Sequence, residues 1–312
     1  RTIFWDPLFN EQFAAYSRPQ LLVKAAPLIL IAIGLSIGFK AGVWNIGAEG
    51  QYVIGALCGA AVALAAYPLE AWWIFPAMVI AGAVGGFIWA MIPAILKIKL
   101  GTNEILVSLM LVYVALELLS SMSVGVLRNP DGNGFPGSRN LQQYATAHNA
   151  EIWPGSSVHW GVVAAFSAVV LAYVLMSKHR LGFQIKLAGA APKAARFAGV
   201  NPHVITAVCL GISGALAGMA GMFEVAGPAG QVSIDFASGY GFTAIIVAFL
   251  GRLNPWSILA AGLLMSLTYI GGELAQFIIG LPASAISAFQ GMLLFFLLAG
   301  ELLVNYRIRR AA

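Results

Sequence analysis

Nine apolar stretches divide this chain, and their lengths leave few folds open. They fall at about 21–39, 50–67, 71–96, 104–127, 159–176, 204–226, 241–251, 256–272 and 284–303. All but one approach the roughly 20 apolar residues that carry a helix across a bilayer. Charged residues make up only 9% of the chain and apolar ones 60%, against about 25% and 45–50% in soluble domains. The expectation is an all-α polytopic membrane protein, a single transmembrane domain over 1–312 with about nine spans. The run 241–251 is too short to cross alone and is expected to be a bent or half-length span that starts in the polar stretch before it. Residues 1–20, with Trp5, Phe9, Phe13 and Tyr16, read as an interfacial segment.

The charges between the stretches give an orientation. Lys40, Lys97, Lys99, Lys178, Arg180, Lys186, Lys193, Arg196, Arg252, Arg307, Arg309 and Arg310 fall in one set of loops; Arg1, Arg18, Lys24, Arg128 and Arg139 fall in the other. The richer set is expected to face the cytoplasm. The longest loop, 128–158, with its turn-rich Asn129-Pro130-Asp131-Gly132-Asn133-Gly134, is then extracytoplasmic. The basic loop 177–203 is cytoplasmic. Residue 1 falls outside, which suggests a leading helix upstream and ten spans in all. The net charge of +5 is spread over short loops, a pattern of topology and not of nucleic-acid binding.

The segment Gly42-Val43-Trp44-Asn45-Ile46-Gly47-Ala48-Glu49-Gly50-Gln51 stands apart. A carboxylate near membrane depth is costly and marks a functional site by default, and the glycines suggest a broken or close-packed backbone. In a helix, Asn45 and Glu49 would share a face at i, i+4. Two roles stay open for Asn45, Glu49 and Gln51: lining a translocation path, or a hydrogen-bond network that holds a hinge, and the hinge is the better fit. A second glycine-rich polar linker, 226–241, repeats the Gly-Gln pair at Gly230-Gln231 and adds Asp235. With the opposite direction of the spans that lead into them, the two linkers hint at an inverted repeat. Gln231 and Asp235 join the path or hinge candidates, with Glu117, Glu224 and Tyr240 as weaker ones. Gly211, Gly214, Gly218 and Gly221 recur at steps of three and four, a smooth stripe for close helix contact.

Other chemistries lack their residues. Cys58 and Cys209 lie far apart inside apolar runs and read as packing residues. His148, His159, His179 and His203 sit in loops or at helix ends, with no metal-ligand spacing and no nucleophile beside them. No G-x-x-x-x-G-K-[ST] loop is present, so the chain has no phosphate cradle of its own and is not expected to be an enzyme.

Three segments carry a family resemblance. Gly42 to Gln51 resembles the N-I-G-x-E-G-Q signature of permease subunits of simple-sugar and nucleoside ABC importers, within the branched-chain amino acid/ribose-type permease superfamily. Gly101-Thr102-Asn103-Glu104 through Leu109-Met110-Leu111 resembles its T-N-E segment. Leu181-Gly182-Phe183 through Ala194-Ala195-Arg196-Phe197-Ala198-Gly199-Val200 resembles its cytoplasmic loop. Val112-Tyr113 and Ala190 depart from the family pattern. The resemblance implies an inverted-repeat permease in a bacterial cytoplasmic (inner) membrane, importing nucleosides or related small polar solutes such as sugars or vitamins. It implies a cytoplasmic ATP-binding subunit carrying the ATP and Mg, a second paralogous permease in a heterodimer or a homodimer, and an extracytoplasmic substrate-binding protein. No cofactor or metal is expected in this chain itself. The loop 177–203, through Lys186, Pro192, Lys193, Arg196 and Phe197 on a short surface helix, is implied as the contact with the ATPase. The alternative is an ion-coupled secondary transporter that uses Glu49 or another buried acid.

Overall fold

A computed structural model of the chain describes residues 5–282 and, beyond these, 284–286, 288–289, 291–292, 295–296 and 299–300. The expected span 284–303 lies partly outside the described residues, and Arg1, Arg307, Arg309 and Arg310 lie wholly outside them. The helices in chain order are α1 Asp6–Phe9, α2 Glu11–Lys40, α3 Ala48–Ala66, α4 Ile74–Leu100, α5 Glu104–Val124, α6 Trp160–Lys178, α7 Arg180–Ala190, α8 Pro192–Phe197, α9 Pro202–Ala226, α10 Tyr240–Leu250 and α11 Pro255–Ile279. Among the described residues the only β pairing is an isolated bridge between Glu151 and His159. Among the described residues, seven helices are long and apolar enough to cross a membrane: α2 from Phe13, α3, α4, α5, α6, α9 and α11. α10, with 11 residues, is half a crossing.

Helix starts follow local chemistry. Asn103, Asn201 and Asn254 each accept a hydrogen bond from the backbone N–H two residues on, opening α5, α9 and α11. Proline follows directly in the last two. His159 and His179 cap α6 and α7 in the same way through Nδ1. These histidines thus have a structural task at helix ends.

Two boundaries differ from expectation. Residues 11–20 are not a separate interfacial segment but the start of α2, which runs through Pro19 and Pro27. Membrane helices tolerate such prolines because neighbours satisfy the freed carbonyls, and Arg18 turns back to donate to the Leu8 carbonyl at 2.8 and 3.1 Å. α11 does not end at Glu273 but continues to Ile279. Glu273 is taken up by Lys24 of α2 at 2.6 Å, so Lys24 is no loop charge either.

α2 is buried on all sides along its middle, where Leu28, Ile31, Ala32, Ile33 and Leu35 have no accessible surface. A helix apolar all round belongs there. Against it, α3, α4 and α9 pack through glycine. A Cβ on Gly218 of α9 would lie 2.9 Å from the Gly86 Cα of α4, and one on Gly221 would lie 2.8 Å from the Tyr52 carbonyl carbon of α3. The expected stripe at Gly211, Gly214, Gly218 and Gly221 is where these helices touch.

The connections gather at two ends. At one end lie Lys40, Lys97, Lys99, Lys178, Arg252 and the α7–α8 pair. At the other, residues 128–158 fold over the end of α9: Ser138 and Val232 exchange two hydrogen bonds of 2.9 Å, Leu141 N–H donates to the Gly230 carbonyl, and Asn149 N–H to that of Ala226. Arg139 stacks on the Tyr67 ring, and the Tyr144 hydroxyl donates to the Leu69 carbonyl.

Candidate functional site

After the turn at Ala41–Gly42 the chain does not leave the bundle. Trp44 N–H reaches Glu104 Oε1 at 3.4 Å, and Ile46 N–H donates to Ser108 Oγ at 3.2 Å, one turn further along α5. Residues 43–47 form no regular structure, run beside α5, and deliver the start of α3 to the interior. From the opposite end, residues 227–239 descend without regular structure. Phe236 stacks on Tyr52, one turn into α3, at 5.1 Å, and α10 then begins at Tyr240. Its last turn returns to the basic end, where Phe249 stacks on Phe39 and Trp44. The seventh run is therefore a half-length helix preceded by an irregular descending segment.

Two helix starts thus meet inside the protein. A Cβ on Gly241 would sit 2.8 Å from the Ala48 carbonyl carbon. Each helix N-terminus carries the equivalent of about half a positive charge, so their approach needs an anion between them. Glu49, 2% exposed, supplies it: Oε1 accepts the Gly239 N–H at 2.9 Å and Oε2 the Gly241 N–H at 2.5 Å. Asn45 ties the other side. Its Nδ2 donates to Gln51 Oε1 and to Ser213 Oγ of α9, both at 2.9 Å, while its Oδ1 accepts from Gly47 N–H at 3.0 Å and Gln51 Nε2 at 3.2 Å. Asn45, Glu49 and Gln51 are buried, and their hydrogen bonds run to the protein. Asn45 stands outside any helix, so the i, i+4 relation with Glu49 does not occur. Gly47, which ends the run 43–47, packs on Ser108, where an added Cβ would lie 2.6 Å from the carbonyl oxygen.

The remaining candidates lie apart from this bracket. Gln231 and Asp235 are exposed on the descending segment. Glu224, half-buried near the end of α9, is within electrostatic reach of Lys24, Tyr52 and Tyr240. Sequence reasoning missed Lys24 and Glu273 as a pair because no local pattern joins residues 249 apart. Glu117 is exposed on α5, on one stripe with Tyr113, Ser120 and Ser121. Their spacing of three and four was readable in the sequence. A carboxylate at that depth faces protein or water, not hydrocarbon.

At the basic end, the expected single surface helix is two. Gly182 lets α7 seat on the end of α6, where a Cβ would lie 2.7 Å from the Met176 Cα, and Gly189 packs on the Lys40 carbonyl. The proline at 192 starts a new helix. Lys186, Pro192, Lys193, Arg196 and Phe197 are all exposed, Phe197 to 95%.

Residues 18–298 match the family described as branched-chain amino acid transport system / permease component. The chain belongs to that family. The permease is 39% identical to the glucose ABC transporter permease protein TsgB13 of Haloferax volcanii, over 93% of this chain and 78% of that one. It is 27% identical to the guanosine ABC transporter permease protein NupP of Bacillus subtilis, over 94% and 83%. It is 30% identical to the probable riboflavin import permease protein RfuC of Treponema pallidum, over 75% and 61%. No solved structure matches the chain. The resemblance drawn from the three motifs is thereby established, and the protein is a multi-pass membrane permease.

The bracket in this permease makes a stability prediction. Asn45→Ala strands the buried Gln51 amide and the Gly47 N–H, each at a cost of about 1–3 kcal/mol. Thermal unfolding in detergent should show a clear drop in midpoint. Asn45→Leu combined with Gln51→Leu should cost less than the two single changes added, because both sides of one pair leave together.

Proposed function

We propose that the chain is the membrane-spanning half of an ATP-driven importer for nucleosides, sugars or a similarly small polar solute. The observation that carries this is the α7–α8 pair. It is seated firmly on α6 and α2 yet presents Lys193, Arg196 and a fully bared Phe197 at the basic end. An exposed aromatic flanked by cations on a rigid seat suits a protein partner, here a cytoplasmic ATP-binding subunit that holds ATP and Mg. Residues 177–203 are then the coupling loop and 128–158 the extracytoplasmic loop of one permease domain in the cytoplasmic membrane. A second permease, identical or paralogous, would cover the Tyr113–Glu117 stripe of α5, and the shared seam would be the wet path. A substrate-binding protein would deliver solute at the opposite end.

In this reading α2 with 43–47 and α3, and α9 with 227–239 and α10, form the two members of an inverted repeat, each a long helix followed by an interrupted crossing. Asn45, Glu49 and Gln51 act as its hinge, and Gln231 and Asp235 lie on the path toward it. For the ion-coupled alternative Glu49 is a poor carrier, because both of its oxygens already accept backbone N–H groups.

The test is uptake in vesicles with the partner subunits present. Transport should need ATP and a working ATPase and survive collapse of the proton gradient; persistence without ATP would overturn the proposal. Arg196→Glu should insert normally but lose transport and solute-stimulated ATP hydrolysis together, roughly tenfold or more, as for loss of an interface hot spot worth about 1.4 kcal/mol. Unchanged uptake would remove α8 from the mechanism.

A further inference from the structure

At the end opposite α7–α8, a polar crevice opens between the first turns of α2, residues 142–157 and the start of α6. Its volume is about 290 Å³, close to the lower bound of about 300 Å³ usual for small-molecule sites. Gln20, Gln142, His148, Glu151, Ser157 and His159 line it, with Tyr16 at the rim. It shares no residue with the Glu49 bracket or the α5 stripe.

His159 is the informative group. It is 3% exposed. Its Nδ1 accepts the Gly161 N–H at 3.1 Å and lies 2.9 Å from the Asn149 amide nitrogen. With Nδ1 an acceptor, the ring proton belongs on Nε2, and Nε2 has no partner among the described residues. Burial, with His148 nearby, pushes the imidazole pKa down to about 4, so the ring is neutral at physiological pH and donates from Nε2. His159 lines the polar cavity, and a buried donor without an acceptor in such a residue is a binding feature awaiting its ligand. Around it the wall offers amides, a hydroxyl and the Glu151 carboxylate, whose Oε2 is held by the Gly155 N–H at 2.7 Å. No lysine or arginine lines the cavity. An anion would meet Glu151 with nothing to balance it, whereas a carboxylate, amides, a neutral imidazole and a rim tyrosine suit hydroxyl groups on a small ring.

We propose that this crevice is a binding site for a neutral, hydroxyl-rich solute, anchored by the His159 Nε2–H and the Glu151 carboxylate. It rests on the importer reading only for which end meets arriving solute; there it would hold solute before entry to the path.

The experiment uses the purified permease in lipid nanodiscs, without partner subunits, titrated with radiolabelled D-glucose, guanosine and glucose 6-phosphate. Saturable millimolar binding is expected for glucose or guanosine and none for the phosphate. His159→Asn keeps an acceptor for the Gly161 N–H while removing Nε2, and Glu151→Gln keeps the shape while removing the charge. His159→Asn should weaken binding by roughly tenfold, the effect of unpairing one buried hydrogen bond, and Glu151→Gln, at an exposed carboxylate, by a smaller but measurable factor. If His159→Asn does not fold, Glu151→Gln and Gln20→Leu carry the test. The proposal falls if neither neutral solute binds saturably, if the phosphate binds as well as glucose, or if binding ignores these substitutions. It also falls if the substitutions weaken only docking of the binding protein, which would make the crevice a protein socket. ATP-driven uptake by the assembled transporter, measured alongside, separates failure of this site from failure of the importer reading.

Discussion

Glu49→Gln is expected to leave the permease inserted in the membrane and to cut uptake by roughly tenfold or more, because a buried, charge-assisted hydrogen bond is worth about 1.5–3 kcal/mol. The loss follows from acceptor arithmetic. Both carboxylate oxygens accept backbone N–H groups, one from Gly239 and one from Gly241. Glutamine has the same shape but only one acceptor, so its NH₂ must face one of those donors. The negative charge between two helix starts is lost as well, and nothing else in the bracket replaces it. Aspartate keeps the charge but is one methylene short of two contacts at 2.5 and 2.9 Å, so it should rescue only partly. The loss should be of similar proportion for any transported solute, unaffected by the proton gradient, and matched by a lower unfolding midpoint without solute. A variant with normal stability that fails for one solute alone would instead make Glu49 a substrate ligand. Wild-type uptake would reduce it to a tolerated residue.

That Glu49 stands in an unusual place was legible in the sequence; its partners were not. The cost of an acid at membrane depth singled out Glu49, and the flanking glycines signalled an interrupted backbone. The partners, Gly239 and Gly241, lie about 190 residues away. Glycine N–H donors carry no side-chain signature, so nothing in the sequence could pair them with an acid. For the same reason the i, i+4 relation between Asn45 and Glu49 was plausible on spacing and absent in fact: tertiary contacts with Glu104 and Ser108 hold the chain at Trp44 and Ile46 outside any helix. The length of the run 241–251 was more informative. Eleven apolar residues cannot cross as a helix, and the shortage correctly placed the rest of the crossing in the polar segment before it.

Charge served well for loops and poorly inside helices. Lys24 and Glu273 looked like boundaries because each interrupts an apolar run. They are instead a cross-bundle pair at 2.6 Å, and only their distance in sequence hid the match. The loop 177–203 shows a finer version of the same limit: its exposed cations and Phe197 were legible, but the seat of α7 depends on Gly182 and Gly189 meeting the backbones of α6 and α2. The exposed acid at Glu117 is the converse case. Its spacing with Tyr113, Ser120 and Ser121 was visible from the start, yet only the fold shows that this stripe faces outward.

Gly218→Val is expected to abolish accumulation of folded permease, a larger effect on the protein itself than any change at the bracket. α3, α4 and α9 converge on this residue. A Cβ there would lie 2.9 Å from the Gly86 Cα, and it would press on the Gly82 carbonyl; from the other side, one on Gly55 would meet the Gly218 backbone. The obstructing atoms are main chain of α4, so no rotamer change makes room and the helices must part. Parting them forfeits the close packing that replaces hydrophobic drive between helices in a bilayer, and overpacking commonly costs about 1–3 kcal/mol even where side chains can yield. Ala215→Val on the same helix is the control. Ala215 borders an apolar cavity of about 540 Å³ between α2, α6 and α9, so two added methyl groups find space there. Membrane fractions should hold near-normal amounts of the Ala215→Val protein and little of Gly218→Val, with Gly86→Val as depleted as Gly218→Val because both residues occupy one contact. Equal levels for all three variants would mean that α4 and α9 do not touch along this stripe, and the arrangement that carries Tyr52 to Phe236 and the start of α10 would have to be redrawn.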